Sequence, residues 1–277
     1  MIEFFETNQI FFFVIIMLIT AIPAGFFAGL FGIGGGLITV PFLFFIFESL
    51  NIEKQYLMHL AVGTSFSIII PTAIVSVLTH RKHKSVDANI IKTYGIFVIS
   101  GVLIGTIFAS LMKTKSLLIF FSIVVYSLGT YLLLLQEKMR EIKKNFGFYP
   151  KVIFGFISGF ISAPMGIGGA IMNVPILRYF GYPINIAIGS AAAVGFIIAL
   201  FGAIGFLISG SLMQANLPLS VGFINIPTFL IFVPVTTFMA RTGANTAHKM
   251  NKTKLQKLFG IFLYVVGTIF LYRYLNI

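Results

Sequence analysis

The chain has 277 residues, of which 58% are hydrophobic and only 9% are charged, whereas a soluble domain carries about 25% charged residues. This composition leaves almost nothing for a soluble domain, and the absence of cysteine excludes disulfides, thiolate metal sites and catalytic thiols. The net charge of +12 is typical of membrane proteins, which collect Lys and Arg in cytoplasmic loops, so it does not indicate nucleic acid as a partner.

Apolar stretches long enough to cross hydrocarbon, roughly 17 to 25 residues, recur from end to end. We predict eight long spans, at residues 8–32, 56–79, 92–112, 116–135, 151–165, 185–208, 219–240 and 255–275. A shorter apolar piece follows each of two glycine clusters, at 37–49 and 171–180. Because these runs are continuously apolar, whereas barrel strands alternate, the sequence predicts an all-α polytopic membrane protein. No Lys or Arg precedes the first span, so we expect that span to be retained rather than cleaved as a signal peptide.

The glycine clusters belong to a pattern that occurs twice. Residues 25–41 read GFFAGLFGIGGGLITVP, and residues 155–175 read GFISGFISAPMGIGGAIMNVP. Further matches follow in the same order through the later spans of each half. This ordered series predicts two homologous transmembrane halves, residues 1–135 and 151–277, joined by a charged linker at 136–150. Each half is expected to hold about four long helices plus a half helix after its glycine cluster.

Basic residues decide the predicted topology. If the two short pieces count as crossings, each half has five, and 15 of the 19 Lys and Arg residues fall on one side. That distribution satisfies the positive-inside rule. An odd number of crossings makes the halves inverted repeats, as in many secondary transporters. We therefore expect a multi-pass protein of the cytoplasmic membrane with a cytoplasmic linker and both termini outside.

Glycine clusters in apolar sequence predict a functional break. Irregular backbone at membrane depth is tolerated only inside protein or beside a water-filled cavity. A helix that restarts after each cluster presents unpaired N–H groups and a partial positive charge, and inverted halves would point the two starts at each other. Polar side chains occur at equivalent positions of the two repeats: Thr39 aligns with Asn173, and Thr64 aligns with Ser190. The candidate anion-binding residues are Gly34, Gly35, Gly36, Thr39, Thr64, Ser65, Gly168, Gly169, Asn173, Ser190 and Asn225.

Packing is the alternative for many of these residues. Gly-x3-Gly spacing, as at Gly101/Gly105 and Gly155/Gly159, usually serves close helix packing, and we assign those pairs to packing. Consecutive glycines break a helix instead, which favours a site. Thr and Ser in membrane helices commonly donate a hydrogen bond to a carbonyl of their own helix. The sequence therefore leaves open whether each hydroxyl contacts the substrate or bonds within its helix. Asn225 precedes Pro227, which we expect to kink the seventh long span.

The sequence lacks the residues that nucleotide binding, cation transport, metal binding or catalysis would require. The GIGGGL string has no Lys-Ser/Thr of a P-loop and no preceding strand, which argues against nucleotide binding. All seven acidic residues lie at span ends or in loops, which disfavours cation transport. The four histidines do not cluster, and no nucleophile–base pair is visible, so we predict no metal site, no cofactor, no catalytic residue and no enzyme activity. A passive anion channel using the same helix starts remains the alternative to a carrier.

The doubled glycine pattern, together with Gly63-Thr64-Ser65, the GFINIP string and ARTGANTAHKM, resembles the TauE/SafE family of sulfite exporters over nearly the whole chain. The resemblance implies a secondary carrier for a small sulfur-containing anion, such as sulfite, sulfoacetate or another organosulfonate. It implies anion contacts at the two glycine clusters and their polar neighbours. The expected partners are this anion and the lipid bilayer, with a proton as the candidate coupling ion.

Overall fold

The computed structural model describes residues 7–31, 35–134, 146–249 and 252–276. Within them the chain forms ten α-helices and one short β-hairpin. The helices are α1 (Thr7–Phe31), α2 (Gly36–Ser49), α3 (Leu57–Lys82), α4 (Ala88–Leu111), α5 (Thr114–Leu134), α6 (Phe148–Met165), α7 (Ala170–Tyr179), α8 (Ile184–Leu212), α9 (Ile226–Lys249) and α10 (Lys252–Asn276). The hairpin pairs β1 (Ser220–Val221) with β2 (Ile224–Asn225) in antiparallel register.

Seven helices are long and apolar enough to cross a membrane among the described residues, namely α3, α4, α5, α6, α8, α9 and α10. The apolar segment described in α1, Phe13–Phe27, is shorter than these seven helices, and α2 has 14 residues. The prediction of an all-α polytopic membrane protein is therefore confirmed. Both short pieces after the glycine clusters are helices, and α7 has only 10 residues.

The seventh long span begins later than we predicted. Residues 220–225 form the β-hairpin, and α9 starts at Ile226. Pro227 consequently lies in the first turn of α9, where a missing N–H costs no helical hydrogen bond, so the expected kink at this proline is wrong. Pro234 does lie inside α9.

The two sets of five helices pack across each other reciprocally. Helix α1 packs on α9 as α6 packs on α4, while α3 packs on α8 and α5 on α10. Between α5 and α10, the Tyr126 hydroxyl bonds Thr268 at 2.8 Å and the Tyr264 hydroxyl bonds Thr130 at 2.6 Å. The two tyrosines and the two threonines are equally spaced along the chain. Equivalent residues of the two predicted halves thus meet across this interface, and the relation of the halves stays a prediction.

Glycines allow α4 and α6 to approach closely. A Cβ at Gly101 would strike the Phe156 carbonyl oxygen, and a Cβ at Gly159 would strike the Val98 carbonyl oxygen. Gly105 lies against Phe160 in the same way. The Gly-x3-Gly pairs of these helices serve packing, as predicted, because each missing side chain admits a backbone carbonyl of the partner helix.

The loops gather at two ends of the molecule. At one, here called the linker end, the Asp87 N–H bonds the Ser190 hydroxyl at 3.0 Å, and Phe146 stacks on Phe180 with ring centroids 4.4 Å apart. At the other, called the hairpin end, the Thr114 hydroxyl donates to the Gln55 carbonyl oxygen at 2.7 Å. The linker end thus contains residues 83–87, 146–148 and 180–184, and the hairpin end contains 50–56, 112–114 and 213–225.

The two short helices run from the middle of the molecule to opposite ends. Phe146 precedes α6 and Phe180 follows α7, so their contact brings both helices to the linker end. Helix α2 reaches the hairpin end, where Glu48 pairs with Arg273 at 3.1 Å. The inverted relation of the halves, for which such opposite directions are expected, stays a prediction. The positive-inside count is also unchanged if α7 crosses only half the bilayer, because the α6–α7 pair returns to the end from which it starts.

Labelling of single cysteines tests this topology, since the natural chain has none. His83 at the linker end and Asn216 at the hairpin end are both exposed. In intact cells, an impermeant maleimide should label Asn216→Cys directly and His83→Cys only after the membrane is permeabilised. Labelling of both from outside, or the reverse pattern, would contradict the inverted arrangement with cytoplasmic linker.

Candidate substrate site

The second glycine cluster turns the chain between α6 and α7 with two left-handed residues. Gly166 ends α6 with φ of +63°, and the Ile167 N–H returns to the Ser162 carbonyl oxygen at 3.3 Å. Gly169 starts α7 with φ of +68°. Only glycine takes this backbone region without strain, so the cluster is required for the turn. Residues 165–169 are all buried.

The first cluster starts α2 in the same way. Gly35 has φ of +85° and is the N-cap of α2, which begins at Gly36. Gly34 lies outside the described residues. Among the described side chains none caps the start of α2 or of α7. Each helix start therefore offers N–H groups that the helix itself leaves unpaired.

The two breaks touch each other. A Cβ on Gly36 would strike the Gly166 carbonyl oxygen, and the Ser65 hydroxyl donates to that oxygen at 3.0 Å. The Ile69 side chain lies between them, 2.8 Å from a Cβ placed on Gly36 and 3.4 Å from one placed on Gly168. The structure thus brings the predicted glycines together, with an apolar side chain and a carbonyl oxygen between the two helix starts.

Thr39 and Asn173 make equivalent contacts with their own helix starts. The Thr39 hydroxyl donates to the Gly35 carbonyl oxygen at 3.0 Å, and the Asn173 amide nitrogen donates to the Gly169 carbonyl oxygen at 2.9 Å. Both side chains are buried. In the structure described, these donors stabilise the turns and are already used.

Asn173 also holds α4, α6 and α7 together. Its side-chain oxygen accepts from the Tyr94 hydroxyl at 2.6 Å and from the Ser158 hydroxyl at 2.8 Å. All three residues are fully buried. A buried and fully partnered network of this kind makes the position of α7 rigid.

Thr64 and Ser190 each accept a hydrogen bond from the residue directly before a helix in the other half. Thr64 accepts from the Asn225 N–H at 3.0 Å, at the hairpin end. Ser190 accepts from the Asp87 N–H at 3.0 Å, at the linker end. The residue before each hydroxyl is a glycine, and a Cβ there would strike a backbone carbonyl oxygen of the same loop, that of Phe223 or Ser85. We call these the two glycine–hydroxyl contacts.

Asn225 ends β2 and directly precedes α9, at the hairpin end rather than at a break. Its side-chain oxygen accepts from the N–H and the hydroxyl of Thr228 at 3.1 and 2.6 Å. Its amide nitrogen donates to Pro218 and Ser220. The structure therefore separates Thr64, Ser190 and Asn225, which join loops to helices, from Ser65 and the glycines at the breaks.

Ser162 is a residue at the break that the sequence interpretation missed. It lies in the last turn of α6, and its hydroxyl is 3.2 Å from the position of a Cβ on Gly169. A signal was present, because residues 155–162 read GFISGFIS and serines four apart share one helical face. Ser158, on the same face, bonds Asn173.

Grooves elsewhere on the described surface are apolar. The larger, of about 410 Å³, lies between α3, α8 and α9, and the other, of about 350 Å³, lies between α5 and α10. Neither is lined by a glycine of the breaks. Residues 35–36 and 165–169 of the breaks are buried.

Comparison with known proteins gives consistent matches over nearly the whole chain. A family model described as "Sulfite exporter TauE/SafE" matches residues 16–270. The chain is 33% identical over 256 residues to a "Probable membrane transporter protein" of Haemophilus influenzae, covering 92% of this chain and 97% of that protein. It is 26% identical to probable membrane transporter proteins of Methanocaldococcus jannaschii and Bacillus subtilis, covering 93% and 97% of those proteins. No solved structure matches the chain.

Replacing Thr64 by Val tests whether its hydroxyl is structural. The substitution keeps the volume but leaves the buried Asn225 N–H unpaired, which should lower the free energy of unfolding by about 1–3 kcal/mol. Thermal unfolding in detergent measures the loss, and Thr64→Ser, which keeps the acceptor, should restore most of it. A Thr64→Val protein with wild-type stability and a weakened response to anions would assign this hydroxyl to the substrate instead.

Proposed function

The chain belongs to the sulfite exporter TauE/SafE family, and on that basis we propose that it is a secondary transporter of a small sulfur-containing anion, such as sulfite or an organosulfonate. The names of its relatives indicate a membrane transporter rather than an enzyme. We place it in the cytoplasmic membrane, with the linker end in the cytoplasm and both termini outside. The two transmembrane halves, 1–135 and 151–277, are the moving parts of the proposed mechanism.

One observation supports the location of the anion site above the others. Two helices, α2 and α7, start at buried glycine N-caps, and the two breaks touch where Gly36 lies against the Gly166 carbonyl oxygen. A helix start attracts anions through its free N–H groups and the positive end of its dipole. Glycine lets the ion approach this backbone closely. Half-helix starts at the midplane are also where many secondary transporters bind anionic groups.

Alternating access is favoured by how the breaks are enclosed. One glycine–hydroxyl contact lies at each end of the molecule, Thr64 with Asn225 at the hairpin end and Ser190 with Asp87 at the linker end. Each joins α3 or α8 of one half to the start of α9 or α4 of the other. Opening one contact while the other stays closed would expose the breaks to one side only. We propose that the two contacts open in turn.

Transport measurements separate this carrier from the passive channel. In liposomes containing the purified protein, uptake of labelled sulfite or methanesulfonate should saturate and should be accelerated by unlabelled anion inside. Acceleration from the opposite side requires a carrier that returns loaded faster than empty. Large single-channel currents without such acceleration would support the channel, and no flux of any sulfur anion would contradict the proposed function.

Gly168 is the best position at which to block the site. A Cβ there meets nothing closer than 3.4 Å, and its φ is not positive, so larger side chains are tolerated better than at Gly36 or Gly169. Gly168→Ala should reduce transport while thermal unfolding stays near that of the natural protein, because its Cβ makes only ordinary contacts. Gly168→Leu should abolish transport. Gly147→Leu is the control, since a Cβ at Gly147 has nothing within 4 Å. Normal transport by Gly168→Leu would place the anion elsewhere.

A further inference from the structure

The hydroxyl of Ser162 is a buried polar group without a partner. Ser162 is 0% exposed, and its Oγ has no hydrogen-bond partner among the described residues. Most helical hydroxyls here bond back to a carbonyl of their own helix, as Thr106 and Ser122 do at 2.7 and 2.9 Å. An unpaired buried hydroxyl is costly and calls for an explanation at that place in the fold.

Its surroundings indicate what the hydroxyl is for. Ser162 Oγ lies beside Gly169, the N-cap of α7, on the side where α6 and α7 meet. No described side chain caps this helix start, so the N–H groups of Ala170 and Ile171 lack the partners that a cap would supply. A spare hydroxyl donor and spare backbone donors therefore lie at the same break.

We propose that the start of α7 holds the substrate as a singly charged oxyanion, with the Ser162 hydroxyl donating a hydrogen bond to it. This inference rests on the proposed function and deepens it, since it names the substrate's charge and one residue that binds it. The three donors are Ser162 Oγ and the N–H groups of Ala170 and Ile171. Together they match the several acceptor oxygens of a sulfonate or of hydrogen sulfite.

Helix α7 is the better of the two starts for this role. At α2, both Gly36 and Leu37 are buried, and the Gly166 carbonyl oxygen, an acceptor, faces Gly36. At α7, Ala170 and Ile171 are only partly buried. An anion would be repelled by the carbonyl at the first start and meets donors at the second.

The charge of the ion follows from the absence of counter-charges. The sequence has no Lys or Arg before Lys54, between 55 and 80, between 152 and 177, or between 179 and 240. These ranges include α2, the whole of α8, and nearly all of α3, α6 and α7. The one exception in α7 is Arg178, which lies in its last turn, about 12 Å along the helix from its start. Moving an ion out of water costs free energy that grows with the square of its charge, so a dianion is about four times as costly. Neutral donors alone suit a monoanion.

The first test compares variants in anion-dependent thermal unfolding of the detergent-purified full chain. Sodium methanesulfonate is the probe. Ser162→Ala should unfold at or slightly above the natural temperature without anion, because no hydrogen bond is lost. Its apparent Kd for methanesulfonate should rise about tenfold or more, the effect of losing one hydrogen bond to a charged group. Ser122→Ala, which removes a partnered hydroxyl in α5, should leave the Kd unchanged.

The second test needs no variant. Methanesulfonate and sulfate have similar oxygen geometry but one and two charges, so at equal ionic strength methanesulfonate should stabilise the natural protein and sulfate should not. Sulfite should lose apparent affinity as pH rises and its second proton leaves, while methanesulfonate stays constant.

The outcomes separate the two proposals. An unchanged Kd in Ser162→Ala, or sulfate binding as tightly as methanesulfonate, overturns this inference while liposome transport of sulfite still upholds the proposed function. If the natural protein neither binds nor transports any sulfur anion, both proposals are overturned.

Discussion

The whole arrangement depends on how a membrane protein satisfies backbone groups where the helix stops. In hydrocarbon each unpaired N–H or carbonyl costs several kcal/mol, so the turns at the glycine clusters exist only because protein surrounds them. The Gly166 carbonyl is bonded by Ser65, and the Gly169 carbonyl by Asn173. These two carbonyl oxygens are thus paired within the protein, whereas a helix start leaves N–H groups without intrahelical partners. That imbalance is the basis on which we propose that the breaks bind an anion.

The same physical solution recurs at both ends of the molecule. A glycine admits a loop carbonyl, and the hydroxyl that follows it on α3 or α8 accepts the N–H that opens a helix of the other half. The paired bonds of Tyr126 with Thr268 and Tyr264 with Thr130 add a third reciprocal contact. In the proposed mechanism, these equivalent contacts at opposite ends are the two closures that open in turn.

The lack of charge in the interior sets a limit on the chemistry. The basic residues lie in the loops and near the helix ends, as with Arg273, which pairs with Glu48 at the hairpin end. In the proposed site, recognition therefore depends on dipoles and hydroxyl groups. Such donors attract an anion less strongly than Lys or Arg would, which also lets the ion leave. A carrier has to release its substrate, so weak neutral binding is consistent with the proposed role.

The sequence by itself determined the class of protein, the ten helices and the positions of both breaks. It could do so because hydropathy and consecutive glycines act locally: a span needs apolar length, and left-handed turns at positions such as Gly35 and Gly169 need glycine. Only the tertiary structure decided the roles of the polar residues. Thr64 and Ser65 are adjacent in sequence, yet one bonds a loop and the other a break. Ser162 stood out only once its hydroxyl was found buried and unpartnered, because a hydrogen-bond partner is a property of the fold rather than of the residue.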